Sequence, residues 1–314
     1  MIVYQINCIC NVSFLQYFVM IILRGEYMIY VIGSMSVDLV VQANRLPKKG
    51  ETILGESFFM TEGGKGANQA VSAARLGADV YMVGCVGDDN FGEMIVTNLK
   101  ANNVNVDYIE QINDCASGTA HITLADNDNS IIVVPSANSE VSFELVDKVF
   151  NIMDQDSIIL LQNEIPKSII EYVIEESYKK KITTIYNPAP YIEINLELLK
   201  KVTYFTPNET EVKAMFGEDF TDVIEEYPNQ MIVTLGEEGA TYFDSEFINI
   251  PGMKSKVVDT TGAGDTFNGA LAVGISEGMT LKEAVQFANQ AAGLSVGGLG
   301  AQGGMPFRYD IKDK

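Results

Sequence analysis

Short apolar runs alternate with helix-forming segments along most of this chain, and that alternation limits its possible folds more than any other feature of the sequence. The runs with strand character cover residues 28–34, 80–87, 157–164, 182–189, 202–209 and 231–239. Such alternation is typical of parallel sheets, because each parallel strand must be followed by a crossover, usually a helix. We therefore predict an α/β fold, a three-layer sandwich in which helices flank a mostly parallel central sheet.

Three further segments show apolar residues at helical spacing. The first follows Gly64 and the second follows Asp265. The third begins at Thr280, and Glu283 completes a capping-box pattern there. We expect a helix at each place.

Two segments interrupt the alternation of strands and helices. Residues 38–64 and 115–138 have apolar residues at a spacing of two, with turn residues and no helix between them. They predict a small antiparallel sheet that protrudes from the main sheet as a β lid, formed by about 38–62 and 115–134. Its exposed face is also the expected contact of a homodimer, because an uncovered sheet face or edge tends to find a partner.

Polar residues follow the strand-forming runs at or just past their carboxyl ends. In open α/β sheets the ligand crevice lies outside those ends, so we expect the polar side chains to share one cleft. They are Asp38, Asp88, Glu164, Asn187, Asn208 with Glu211, and Thr234.

The first 27 residues have a different character from the rest of the chain. Residues 2–23 are apolar, but no basic residue precedes them and four Asn or Gln residues interrupt them, so they fit neither a signal peptide nor a membrane anchor well. Residues 24–26, Arg-Gly-Glu, can be encoded by a purine-rich ribosome-binding site. We therefore expect a native start at Met28, with 1–27 a non-native extension of a domain that covers 28–314. The alternative is a genuine apolar extension packed on the protein body or on a membrane surface.

Charge and cysteine content exclude several classes of function. The net charge of −21 argues against nucleic acid or a membrane as a partner, because Lys and Arg supply most of that binding. Four cysteines without a CxxC pair or a disulfide framework predict reduced thiols and a cytoplasmic protein. A single histidine leaves almost no material for a His-based triad or a multi-His metal site.

Two glycine-rich turns, at 62–70 and 260–270, each lead into a predicted helix. A helix N-terminus offers unpaired N–H groups and the positive end of a dipole, so either turn can bind an anion. Neither turn is a Walker loop or a dinucleotide-binding fingerprint, because Gly66 follows Lys65 and Phe267 stands where a glycine belongs.

Asp265 lies beside the second turn and has two possible roles. A carboxylate there can take a proton from an attacking hydroxyl while N–H groups stabilise a transferring phosphoryl group. Asp is also a favoured helix cap. Spacing alone leaves both roles open.

Seven motifs occur in the order found in the ribokinase branch of the ribokinase-like (PfkB) sugar kinases, so the chain resembles that family over residues 28–306. The motifs are GSMSVD (33–38), GGKGANQAV (63–71), NPAP (187–190), TPNETE (206–211), VTLGEEGA (233–240), DTTGAGDTFNGA (259–270) and GAQGGMP (300–306). The resemblance implies transfer of the γ-phosphoryl group of ATP to the 5-hydroxyl of D-ribose or a similar furanose, with Mg²⁺ and K⁺. It also implies a dimer formed through the β lid.

The resemblance also implies roles for individual residues. Asp265 matches the catalytic base, and Gly262, Ala263 and Gly264 match the anion hole. Sugar-binding positions match Ser36, Asp38, Gly63, Gly64, Lys65, Asn68, Glu164 and Asp265. Nucleotide-side positions match Asn208, Thr234, Gly236, Gly239, Gly264 and Asn289. Asn208 and Glu211 match a motif that organises Mg²⁺ and phosphate. A K⁺ site built largely from backbone carbonyls matches Asp259, Thr261, Ser295, Gly298, Gly300 and Gly304.

Several alternatives stay open at this point. Ser36 stands where ribokinases usually carry Asn, so 2-deoxyribose, a nucleoside or pseudouridine is an alternative acceptor. Phosphosugars are disfavoured, because only Arg45 in the lid could reach a second phosphate. A non-catalytic sugar-sensing protein is disfavoured by the intact base and anion hole.

Overall fold

The computed structural model describes residues 27–126 and 128–311. The segment on which the predicted Met28 start rests therefore lies outside the described residues. Thirteen strands occur in the described part of the chain: β1 (Ile29–Ile32), β2 (Ser36–Gln42), β3 (Ser57–Gly63), β4 (Val80–Gly87), β5 (Val104–Ile112), β6 (Gly118–Ala125), β7 (Asp128–Val134), β8 (Ile158–Leu161), β9 (Thr183–Tyr186), β10 (Tyr204–Phe205), β11 (Ile232–Thr234), β12 (Gly239–Asp244) and β13 (Glu246–Pro251).

The α-helices of the described residues alternate with these strands. They are α1 (Lys65–Arg75), α2 (Asn90–Ala101), α3 (Phe143–Phe150), α4 (Lys167–Lys180), α5 (Glu209–Phe216), α6 (Phe220–Val223), α7 (Ala263–Ser276) and α8 (Leu281–Ser295). The helices predicted after Gly64 and at Thr280 are confirmed, and the capping box of α8 is formed.

The central sheet has the strand order β10-β9-β8-β1-β4-β5, and every pairing in it is parallel. Single bridges continue it from β10 towards β11, which forms an antiparallel sheet with β12 and β13. Strand β1 shows the layering: Ile29 and Val31 enter one hydrophobic core, while Tyr30 and Ile32 enter the other. Successive residues of a strand face opposite sides of the sheet, so the predicted three-layer sandwich is confirmed.

The β lid is a four-stranded sheet of order β3-β2-β6-β7. Its two outer pairings are antiparallel, as predicted, but β2 and β6 pair in parallel, so a purely antiparallel lid was wrong. The reason is topological. The chain returns from β3 to β6 through α1, β4, α2 and β5 rather than through a tight hairpin, and only a long crossover of this kind permits parallel neighbours.

Three strands were not predicted from the sequence. Strand β5 lies at the edge of the central sheet and carries Asp107 and Glu110. These charged residues interrupt its apolar pattern, so the pattern does not predict a strand. Strands β12 and β13 form a hairpin over residues where strand and turn signals overlap. No helix in the described residues is long and apolar enough to cross a membrane.

Candidate active site

A cavity of about 590 Å³ lies between the β lid and the carboxyl ends of the central strands. It brings together many of the predicted sugar-site residues: Ser36, Asp38, Gly64, Lys65, Asn68, Glu164 and Asp265, with Thr261 and Gly262 from the second glycine-rich turn. Asp88 lies outside the lining of this cavity. Its neighbour Asp89 caps helix α2 instead, because its carboxylate accepts a hydrogen bond from the backbone N–H of Gly92.

Asp265 is the third residue of helix α7, and its side chain does not cap that helix. Its two carboxylate oxygens accept hydrogen bonds from Nδ2 of Asn68 at 2.9 Å and from Nε2 of Gln69 at 3.1 Å. The alternative role as a helix cap is therefore wrong. The Gly262 backbone occupies the cap position, and the carboxylate is turned towards helix α1.

Burial raises the pKa of Asp265 from its ordinary value. The charge of Lys65 and the hydrogen bonds from Asn68 and Gln69 oppose that rise, while the charge of Glu164 adds to it. An ionised carboxylate that is 6% exposed and faces a cavity is a strong proton acceptor. This arrangement suits general-base chemistry.

In the turn at 262–264, the N–H groups of Gly262 and Gly264 have no hydrogen-bond partner among the described residues, whereas that of Ala263 donates to the carbonyl of Thr260 at 3.3 Å. Gly262 has φ 77°, and a Cβ there would collide with the carbonyl oxygen of Ala301. At Gly264, by contrast, no heavy atom beyond its chain neighbours and the backbone of its own helix lies within 4 Å of the position of a Cβ. The first N–H groups of an α-helix have no partner within the helix, so the start of α7 can hold an anion beside Asp265.

Asp38, on β2, lies against Gly63 on β3, and a Cβ at Gly63 would collide with its carboxylate. Burial raises the pKa of Asp38 to about 6, and the charges of Glu164 and Asp265 add to the rise. Gly64 has φ 90°, and a Cβ there would lie 2.8 Å from the backbone of the chain entering β2. Glycines at these two positions therefore let the lid strands approach the start of α1.

Glu164 follows β8 and joins two elements of the site. Its Oε2 accepts hydrogen bonds from the backbone N–H of Lys65 at 3.0 Å and from the hydroxyl of Ser34. The pKa of Lys65 is raised chiefly by the charge of Asp265, so this lysine stays protonated beside the acidic cluster. Sequence reasoning did not nominate Ser34, although its position at the end of the first strand was an available signal.

Asn208 and Glu211 form the capping box of helix α5. The backbone N–H of Glu211 donates to Oδ1 of Asn208 at 2.8 Å, and the backbone N–H of Asn208 donates to Oε2 of Glu211 at 2.9 Å. Burial raises the pKa of Glu211. A bridge between Asn208 and Thr234 fixes this helix start to β11.

The other predicted nucleotide-side residues lie around β12, β13 and α8. Gly236 has φ 57° in the turn after β11, and Gly239, the first residue of β12, has φ 103°. The side-chain amide of Asn289 donates to the carbonyl of Ile250 at 2.9 Å and so ties α8 to β13. This contact gives Asn289 a structural role in addition to any contact with a nucleotide.

The six predicted K⁺ positions come from two segments that the fold brings together. The carboxylate of Asp259 accepts hydrogen bonds from the backbone N–H groups of Thr261 and Gly300, both at 2.9 Å. Gly298 and Gly304 are in close backbone contact, and a Cβ at Gly304 would collide with the carbonyl of Ser295. No group of three or more His, Cys, Asp or Glu in residues 27–126 and 128–311 could hold a metal ion, so backbone carbonyls would have to supply most ligands.

The β lid presents an apolar outer face. Ile132 is 69% exposed and Phe58 is 59% exposed, and the exposed side chains of Val41 and Met60 share their face of the sheet. Ile131 and Val133 lie on the opposite face, which lines the cavity. Contiguous exposed apolar surface of this kind marks an interaction site.

The chain is similar to proteins of known activity over almost all of its described length. Residues 27–308 match the model of the pfkB family carbohydrate kinases. The ribokinase of Bacillus subtilis (strain 168) is 46% identical over 287 residues, which are 91% of this chain and 98% of the relative. The deoxyribokinase of Salmonella typhimurium is 36% identical over 292 residues, with 88% of this chain and 95% of the relative covered.

A solved structure is also similar to this chain over most of its length. The structure of Arabidopsis thaliana ribokinase complexed with ribose and ATP is 34% identical to this chain, with a TM-score of 0.81. The superposition covers 90% of this chain and 96% of that one.

Proposed function

This chain belongs to the pfkB family of carbohydrate kinases, and on that premise we propose that it transfers the γ-phosphoryl group of ATP to the 5-hydroxyl of D-ribose. The placement of Asp265 carries the proposal: a buried carboxylate faces the cavity beside the N-terminus of α7, where a transferring phosphoryl group would lie. Similarity to ribokinases at 46% and 45% identity supports ribose as the acceptor.

In the proposed reaction Asp265 takes the proton of the sugar hydroxyl as the hydroxyl oxygen bonds to the γ-phosphorus. The bond from that phosphorus to the β,γ-bridging oxygen breaks, and ADP leaves with the electron pair. The backbone N–H groups of Gly262, Ala263 and Gly264 stabilise the negative charge on the phosphoryl oxygens.

The sugar would lie under the lid among polar groups that the cavity brings together. Asp38 and Glu164 accept hydrogen bonds from its hydroxyls, while Asn68 and Lys65 donate. Gly63 and Gly64 would act indirectly, because the absence of a Cβ at each lets the lid strands lie close to the start of helix α1. ATP would lie on the other side of the α7 start, along Asn208, Thr234, Gly236, Gly239 and Asn289.

The donors near Asn208 and Glu211 fit a magnesium ion held mainly by phosphate and water. Their capping box uses Oδ1 of Asn208 and Oε2 of Glu211, which leaves the other carboxylate oxygen of Glu211 to bind a metal-bound water. Mg²⁺ typically keeps several waters beside substrate phosphates. When bound there, it would neutralise charge on the β- and γ-phosphates.

The loops at 259–261 and 295–304 fit a K⁺ ion coordinated by oxygen atoms. Asp259 holds the two loops together, and Gly262 packs on the carbonyl of Ala301. An ion that orders these loops would order the anion hole as well. We expect kcat to be higher in KCl than in choline chloride at equal ionic strength; equal kcat in the two salts would contradict a K⁺ site.

We also propose a homodimer formed through the apolar outer face of the β lid. Ile132→Glu places a charge on that face, so light scattering should report a dimer for the wild type and a monomer for the variant. Tyr178→Glu is the control, because Tyr178 is 57% exposed on α4, away from the lid. A monomeric wild type would contradict the proposal.

The test of the reaction is ADP release with ribose, 2-deoxyribose, fructose, adenosine and pseudouridine. Asp265→Asn should lower kcat by about 10²- to 10⁴-fold, the range expected for a general base, and should leave ribose binding intact. Asp88→Asn is the matched control outside the cavity and should keep full activity. Turnover of a nucleoside but not of ribose would overturn the assigned substrate.

A 2-deoxyribokinase is the second candidate function, and Ser36 is the observation that favours it. Ser36 lines the cavity at the start of β2 and is shorter than the Asn expected there. A site with one hydrogen bond fewer discriminates less between hydroxyl patterns. We expect Ser36→Asn to raise the ratio of kcat/KM for ribose to that for 2-deoxyribose; an unchanged ratio would remove Ser36 from the specificity of the site.

A further inference from the structure

Gln69 holds one oxygen of Asp265 from a position that a substrate cannot reach. It is wholly buried, and it does not line the cavity. Its Nε2 donates to Oδ1 of Asp265 at 3.1 Å and to Oδ1 of Asn187 at 3.2 Å. The preceding residue, Asn68, donates to the other oxygen of Asp265 at 2.9 Å. Two consecutive residues of α1 therefore donate hydrogen bonds to the two carboxylate oxygens of Asp265.

The direction of the Gln69 amide is fixed at both ends. Asn187 donates its own Nδ2 to the carbonyl of Thr206, so its Oδ1 can only accept from Gln69. Gln162 donates its Nε2 to Oε1 of Gln69 at 2.7 Å. A flipped Gln69 would direct its oxygen at a carboxylate and an amide oxygen, which are both acceptors.

When Gln162 donates to Gln69, its own side-chain oxygen is left without a hydrogen bond. Gln162 is wholly buried, and its Oε1 has no hydrogen-bond partner within residues 27–126 and 128–311. An unpaired buried carbonyl oxygen destabilises a fold, and a hydrophobic side chain of similar shape would avoid that loss. The direction of donation towards Asp265 explains why a glutamine occupies this place.

The charged groups around Asp265 make neutral donors useful. Lys65 faces it from α1, while Glu164 after β8, Asp38 on β2 and Glu211 on α5 surround it with negative charge. Amide donors stabilise the ionised carboxylate without neutralising it and without a proton to exchange with the sugar. Gln69 is wholly buried and does not line the cavity, so its donor occupies a lone pair of Oδ1 on the buried side of the carboxylate. The lone pairs that remain are available to the acceptor hydroxyl.

We propose that Gln69 is a positioning residue that orients the carboxylate of Asp265 for proton abstraction, and that Gln162 fixes the Gln69 amide in the donating direction. This inference rests on the proposed function, since it treats Asp265 as the general base. Gln69 acts through Asp265 and does not touch the substrate.

The first test compares Gln69→Met, which keeps the length of the side chain but removes the donor, with the wild type across pH 5 to 9. We expect kcat for ribose to fall about 10- to 100-fold and the acid limb of the kcat profile to move up by about one pH unit. Ribose KM should change by less than about threefold, because the sugar contacts remain. Gln162→Met should move the limb in the same direction by a smaller amount.

Gln230→Met is the matched control, because Gln230 donates to the carbonyls of Leu199 and Val202 far from Asp265. It removes a similar pair of hydrogen bonds and should leave kcat and the acid limb unchanged. If Gln69→Met lowers kcat with an unmoved acid limb, Gln69 is only structural and the inference is overturned. If Gln69→Met fails to fold, the Gln162→Met profile decides in the same way.

A second readout separates this inference from the proposed function. The carboxyl ¹³C resonance of Asp265, assigned by comparison with Asp265→Asn, should titrate at higher pH in Gln69→Met than in the wild type. A wild type without sugar kinase activity would refute the proposed function, and this titration would still decide the hydrogen-bonding role of Gln69. An unchanged titration would overturn the inference even in an active enzyme.

Discussion

Replacing Asp38 with asparagine should stabilise the ligand-free protein at neutral pH while it weakens sugar binding. Asp38 is buried beside the carboxylates of Glu164 and Asp265, and its side-chain oxygens accept no hydrogen bond from the described residues. Desolvation, followed by these neighbouring charges, raises its pKa from 3.8 to about 6. The folded state therefore binds the proton more tightly than the unfolded chain does.

The sign of the effect follows from that difference. The stabilising contribution of protonated Asp38 is fully present below the unfolded pKa of 3.8 and is lost as pH rises through the folded pKa of about 6. A rise of about two pKa units lowers the free energy of unfolding by about 3 kcal/mol at pH 8, relative to a carboxyl that stays protonated. At pH 5 the loss is about 1.5 kcal/mol, because the folded carboxyl is still mostly protonated. Asp38→Asn removes this penalty and so should raise the free energy of unfolding by those amounts.

Urea unfolding of the ligand-free wild type and variant at pH 5 and pH 8 measures the effect. Asp89→Asn is a control of opposite sign. Burial alone would raise the pKa of Asp89, but hydrogen bonds from Ser117 and Gly92 lower it below its ordinary value. That variant should therefore lose stability at pH 8. A stabilisation of Asp38→Asn that is equal at both pH values would refute the electrostatic reasoning, because a packing effect does not titrate.

Three other changes have definite expected outcomes. Gly262→Ala should lose both stability and kcat, because φ is 77° and the new Cβ would strike a backbone carbonyl. Gly264→Ala should fold normally, since no heavy atom beyond its chain neighbours and the backbone of its own helix lies within 4 Å of its Cβ. Thermal unfolding and kcat of both variants check the contrast, and equal melting temperatures would contradict it. Lys65→Met removes the charge that most lowers the pKa of Asp265, so the acid limb of kcat should move to higher pH in a pH–rate profile; an unmoved limb would show that Lys65 does not tune the base. Thr280→Ala breaks a formed capping box and should cost about 1 kcal/mol in urea unfolding, and a cost near zero would mean that this helix start frays in the native protein.

Much of the fold could be predicted because its signals are local. All six strand-forming runs contain strands of the structure, and the helices after Gly64 and at Thr280 form where periodicity and capping residues placed them. Strand β5 could not be predicted in this way. Its charged residues are tolerated because it lies at the edge of the sheet. The pattern of apolar and polar residues within a strand does not indicate where in the sheet that strand will lie.

In the candidate site, too, some features follow from local sequence and others only from the packing of distant elements. Glycine-rich turns before helices indicated an anion site, because close approach to backbone N–H groups is a local property. The role of Asp265 could not be decided from the local sequence. A carboxylate near a helix start can cap or act as a base, and only the packing of α1 on α7 turned it towards Asn68.

By itself, the sequence determined the α/β class, the strands that end at the cleft, the two segments of the lid and many of the polar residues that line the cavity. Tertiary structure alone decided the parallel pairing of β2 with β6, the direction of Asp265 and its contact with Gln69. Gln69 and Asp265 are 196 positions apart. Periodicity and capping signals extend over a few turns of chain, so contacts at that separation arise only when helices pack.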